Sequence, residues 1–164
     1  MPFTPMERQA DELSSLMLFV DAQREALLAK LDGLTLDQAT STPTPSSLSV
    51  FAIVKHCAHV ERRWVQAGVL DREVPGIWPN PPERREKEFV AEEGETLDSL
   101  RAFYTEVVEE NRAVLDGLRD LDTPVMGGGV DQRWILLHLI EELARHCGQA
   151  DVIREAIDGA VEEP

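Results

Sequence analysis

The sequence predicts an all-α protein, a four-helix bundle of the up-down type, built as one domain over residues 1–164. Three observations carry this expectation. Apolar residues recur at three- and four-residue steps in four long segments, almost no segment alternates with period two, and the apolar stripes are of similar length. With 164 residues and 43% hydrophobic content, the chain can bury a core without disulfide or metal staples.

The first helix is expected from about Pro5 to Leu31, with Leu13, Leu16, Met17, Val20, Leu27 and Leu28 on its stripe and Gly33 as the stop. Thr40–Pro45 holds two prolines and reads as an extended linker. The second helix should start at an N-cap at Ser46 or Ser47 and run to Gly68. A long Pro-rich loop, Val69–Glu95, follows it. This loop carries Trp78 with Pro75, Pro79, Pro81 and Pro82, and connections of such length are usually functional or disordered. The third helix spans about Thr96–Leu118. A turn containing Pro124 and Gly127–Gly129 leads to the fourth, from about Asp131 to Gly159, and the tail VEEP should fray.

The charge balance bounds the partners. Thirty-one Asp and Glu against sixteen Lys and Arg give a net charge of −15, which disfavours phosphate backbones and anionic membranes. No stretch approaches the ~20 apolar residues of a membrane span. No basic start with an apolar segment behind it marks a secretory signal, so a cytoplasmic location is expected. Gly127–Gly129 lacks the Lys-Ser/Thr of a phosphate loop, and no GxSxG context supports a serine nucleophile.

Helical wheels sort the remaining polar residues. On the last helix Ile135, Leu139, Leu143, Ala150, Ile153 and Ile157 cluster around His146, and Glu142 lies roughly 40° from it. Glu141 and His138 fall toward solvent. On the second helix Ile53, Cys57, Val60 and Trp64 centre the stripe. His56 sits at its edge, His59 points outward, and Glu61 lands inside the apolar arc. A buried carboxylate needs a partner. Two readings fit Glu142 beside His146: a metal site completed by His56 from a neighbouring helix, or a Glu–His ion pair with Arg145 or Arg154 nearby. Glu61 reads either as a residue orienting a ligand imidazole or as a structural bridge to Arg62, Arg63 or Arg145. Cys57 and Cys147 each follow a candidate ligand and point about 100° away from it, so both read as small buried apolar residues. Two neutral imidazoles and one carboxylate would leave Zn²⁺ a residual charge of +1 and an open position. Fe(II) and Ni accept the same donors.

The stretch RWILLHLIEELARHCGQADVIREAIDG, with IVKHCAHVERRW upstream, resembles the DinB/YfiT-like superfamily of metalloenzymes over essentially the whole chain, nearest to an actinobacterial branch. The resemblance implies a four-helix bundle, a homodimer, and a metal held by one residue of the second helix and two of the last. Those positions are His56, Glu142 and His146. DinB proper has a third histidine where Glu142 stands, whereas the related mycothiol-dependent maleylpyruvate isomerase uses a His/Glu/His set. Such relatives are isomerases and S-transferases that use mycothiol or bacillithiol. The expectation is therefore a divalent-metal enzyme, zinc first, acting on a small electrophile and a low-molecular-weight thiol, with neither nucleic acid nor membrane as partner. A non-catalytic metal-binding or stress-response bundle is the alternative, as is a bundle with a buried His–Glu ion pair and no metal.

Overall fold

A computed structural model describes residues 11–78 and 86–160; the expected helix start at Pro5, the prolines at 79, 81 and 82, and the VEEP tail lie outside them. The first helix, α1 (Glu12–Ala29), is capped by Asp11, whose carboxylate accepts from the Ser14 N–H. A short α2 (Leu36–Thr40) follows, opened by a Thr35/Gln38 capping box, and the expected linker begins at its last residue. Ser49, rather than Ser46 or Ser47, caps α3 (Val50–Arg63). The Ser46 hydroxyl instead accepts from the Leu48 N–H in the preceding turn.

From Trp64 to Val69 α3 continues as a π-helical turn. Gly68 lies in it, where a Cβ would come within 3.1 Å of Ile135 Cδ1. The widened turn thus brings bare backbone against the last helix. Within the expected Pro-rich loop, Val74 and Trp78 pair as an antiparallel bridge across Pro75–Ile77. Helix α4 (Leu97–Leu115) opens on a Thr96/Ser99 capping box. The Gly-rich turn is a small hairpin, β1 (Pro124–Val125) paired with β2 (Val130–Asp131), with Gly127 and Gly128 at positive φ. Asp131 caps α5 (Gln132–Asp158), and Gly159 ends it at φ 73°.

Side-chain pairs fix the helix directions. Arg133 meets Glu12 and Asp151 meets Lys30, so α1 and α5 run parallel. His59 packs on Phe103 and Arg62 pairs with Glu110, so α3 and α4 also run parallel. Trp64 lies against His138 while His56 lies against His146, which makes α3 and α5 antiparallel. Parallel consecutive helices need a long crossover, and the segment between Leu70 and Thr96 is that crossover. Two apolar clusters fill the bundle. One is built around Leu27, Phe51, Ile53, Tyr104, Leu143 and Ile153, the other around Val65, Leu115, Ile135, Leu136 and Leu139.

A buried charge cluster lies between the helices. Glu61, fully buried, accepts from Arg24 Nε at 2.9 Å and Nη2 at 2.6 Å, and from the Tyr104 hydroxyl at 2.5 Å. Arg24 Nη1 reaches Asp21 at 2.8 Å. The second of the two readings of Glu61, a structural bridge, is the observed one, with Arg24 of α1 as the partner in place of Arg62, Arg63 or Arg145. Burial, with the neighbouring Glu61 charge, pushes the Tyr104 hydroxyl well above its ordinary range and keeps it a donor. Removing one member strands a buried charge, which costs about 3–5 kcal/mol. Arg24→Met should therefore lower the melting temperature by roughly 6–20 °C, at 2–4 °C per kcal/mol. The double variant Arg24→Met/Glu61→Leu should recover most of that loss in a thermal melt, because no unpaired charge remains.

Candidate metal centre

Glu142 and His146 lie one turn apart on α5, and α3 presents His56 opposite them. One ligand atom from each of the three lies within 4.8 Å of the others. His146 Nε2 is 3.3 Å from Glu142 Oε1, and His56 Nε2 is 3.6 Å from the same oxygen. The two imidazoles meet edge to face, with centroids 5.0 Å apart. Their side chains are 12–15% exposed, so the site is lined but reachable.

The far side of each ring is held. His56 Nδ1 lies 3.2 Å from Glu88 Oε2, and His146 Nδ1 lies 2.8 Å from Gln149 Oε1. Glu88 also receives the Arg63 guanidinium. Burial works to raise the Glu88 carboxyl, but hydrogen bonds from His56 and Arg63 outweigh it and hold the group at about 2. A carboxylate only accepts, so His56 carries a proton on Nδ1, and in the neutral ring the Nε2 lone pair then faces Glu142. The carbonyl oxygen of Gln149 imposes the same tautomer on His146. Burial and the neighbouring His56 lower the His146 pKa, which favours its neutral form.

With both rings neutral, two imidazole lone pairs and one carboxylate oxygen converge on one point. The donor set fits a divalent cation of the zinc type. Tetrahedral bonds of about 2.0–2.1 Å place neighbouring ligand atoms roughly 3.3 Å apart, close to the two separations found. Phe89 stacks on His56 at 4.3 Å, and Arg145 Nη1 comes within 3.5 Å of Glu142 Oε2 while pairing with Glu141. Arg154 turns away, donating to the Lys30 and Asp32 carbonyls and to Asp158.

The structure brings together all three residues expected from the wheels and leaves the others apart. Cys57 and Cys147 are buried and lie outside the ligand group, and burial pushes the Cys57 thiol well above its ordinary range. His59 and His138, expected to face outward, are half-buried instead. His59 packs on Phe103, and His138 stacks on Trp134 at 5.0 Å with Trp64 edge-on at 4.8 Å. Trp64 is correspondingly half-buried at the bundle's flank. Sequence reasoning missed Glu88, Phe89 and Gln149. Gln149 follows His146 by three residues and was readable from helical spacing; Glu88 and Phe89 sit in a loop without periodicity.

A sequence model of the family described as mycothiol-S-transferase matches residues 15–159 of this chain. The chain is similar in fold to a conserved protein from Enterococcus faecalis whose crystal structure is known. That likeness has a TM-score of 0.65 at 20% identity and covers 93% of this chain and 100% of the other. Comparison with curated proteins finds no match.

His59 supplies a pH handle beside the centre. Burial lowers its pKa from 6.5 to about 4. The folded state holds it neutral while the unfolded chain protonates it near 6.5, so its contribution is complete above that pH and is lost as pH falls toward 4. From pH 7 to pH 5 this costs about 2 kcal/mol. Urea unfolding at the two pH values should show His59→Gln losing correspondingly less stability on acidification than the parent chain.

Proposed function

The chain belongs to the mycothiol-S-transferase family, and from that premise we propose that it is a divalent-metal-dependent enzyme that joins a low-molecular-weight thiol to a small electrophile. His56, Glu142 and His146 would hold the metal. The observation that supports this reading is the convergence of two Nε2 atoms on the Glu142 carboxylate, each imidazole having its Nδ1 already engaged. A metal-free ion pair of His146 with Glu142 would need an imidazolium there, and burial disfavours the charged form of His146.

When bound at such a centre, a divalent cation lowers the pKa of a thiol and so supplies a thiolate at neutral pH. The protein's own groups prepare the place. Glu88 and Gln149 keep the Nδ1 protons on the outer edges of the rings, so that neither proton points into the site. Glu142 contributes the one negative charge of the set, and its second oxygen is turned toward Arg145. Phe89 covers one face of His56 and keeps water off it. Two neutral imidazoles and one carboxylate leave a dication a residual charge of +1, which favours an incoming thiolate. The thiol is of the mycothiol or bacillithiol class, zinc is the first choice of metal ahead of nickel or iron, and a homodimeric, cytoplasmic enzyme is part of the same reading.

Two measurements on one variant test it. His146→Ala, folded by circular dichroism, should lose the bound metal and the thiol-dependent turnover of a model electrophile by at least 100-fold, given the loss of a direct ligand. Metal analysis must use protein without a polyhistidine tag. Unchanged turnover in that variant would rule the proposal out.

A further inference from the structure

Glu88 lies 32 residues beyond His56, on the crossover, yet its carboxylate is 5% exposed and wedged between His56 and Arg63. The crossover is strapped to α3 at this point. Lys55, itself buried, donates to the Val90 carbonyl at 3.0 Å and to Glu95 at 2.8 Å. Three residues of α3, Lys55, His56 and Arg63, therefore hold residues 88–95 against the same helix that presents a candidate ligand. Phe89, next along the strap, stacks on that ligand's ring.

We infer that Glu88 is a positioning residue: it fixes the tautomer and orientation of His56, so that metal retention depends on the docked crossover. The inference rests on the metal reading above and deepens it. The chemistry lies in how the two oxygens are shared. Arg63 donates to Oε1, and Oε2 faces His56 Nδ1. Both neighbours need an acceptor, and a carboxylate is the side chain that offers one on each side. In Glu88→Gln a single oxygen remains, and the guanidinium claims it because a charged donor binds it more strongly. The amide N–H₂ is then turned to His56 Nδ1, which must accept. The imidazole proton moves to Nε2, where it points into the centre and blocks ligation. The isosteric change thus alters the tautomer and leaves the size and packing of the site as they were.

The test uses the full chain, stripped of metal and titrated with Zn²⁺ against a competing chelator and with Co²⁺ by visible absorption. Glu88→Gln should weaken the Zn²⁺ dissociation constant by 10–100-fold, as loss of a partner behind a ligand imidazole does. It should also dim the ligand-field bands of the Co²⁺ form. Glu88→Asp, which keeps two acceptors on a shorter stem, should recover part of the affinity. Glu93→Gln, an exposed change on the same segment, should leave it unaltered. Melting of the metal-free forms separates positioning from general support of the fold. The affinity lost in Glu88→Gln should exceed any loss in metal-free stability. An unaltered Zn²⁺ constant in Glu88→Gln, or an equal loss in Glu88→Asp and Glu88→Gln, overturns the inference while leaving the metal reading in place. Failure of the parent chain itself to bind Zn²⁺ or Co²⁺ overturns the metal reading.

Discussion

A carboxylate with no access to water dictates how this bundle is assembled. Glu61 is fully buried, and its charge is tolerable only with Arg24 from α1 on one oxygen and Tyr104 from α4 on the other. Three helices are thereby brought to one point, with little freedom in rotation. Because Glu61 and His56 are five residues apart, they project about 140° apart around α3. Turning Glu61 toward α1 and α4 turns His56 toward α5 and the crossover. The structural charge cluster and the candidate metal centre are opposite consequences of one helix rotation.

The chain path supplies the rest. With α3 and α4 parallel, the chain must travel back along α3 before α4 can start, and the return passes over His56. Lys55 and Arg63 hold it there, on either side of the ligand in sequence. A connection required by topology thus becomes part of the site and carries the acceptor that His56 needs. On α5 the same role falls to Gln149, within the helix. The two imidazoles are oriented by different means, one by tertiary docking and one by helical spacing alone.

That difference explains what could be read beforehand. Glu142 and His146 are related by helical periodicity, and His56 falls beside an apolar stripe, so wheels placed all three. The helix bundle and the Gly159 stop were legible for the same reason, since each is a local pattern. What depends on inter-helix partners was not. Ser46 and Ser47 read as equivalent caps until the turn before α3 is built, and the cap is instead Ser49. His59 and His138 lie on wheel positions that a lone helix would expose, but Phe103 and the Trp64/Trp134 pair cover them. Arg24 stands between Val20 and Leu27 on an apolar stripe, a visible anomaly whose meaning needed Glu61, 37 residues away. Glu88 had no local signature at all, because a loop has no period to violate.

The central claim is that two Nε2 atoms and one carboxylate share a single divalent cation. Anomalous diffraction from crystals of the untagged protein grown with zinc, collected on either side of the zinc edge, addresses it directly. The account predicts one strong peak bonded to His56 Nε2, His146 Nε2 and a Glu142 oxygen, with both Nδ1 atoms still facing Glu88 and Gln149. Absence of a peak at this position at full zinc loading, or a metal bonded through Nδ1 of either histidine, would contradict it.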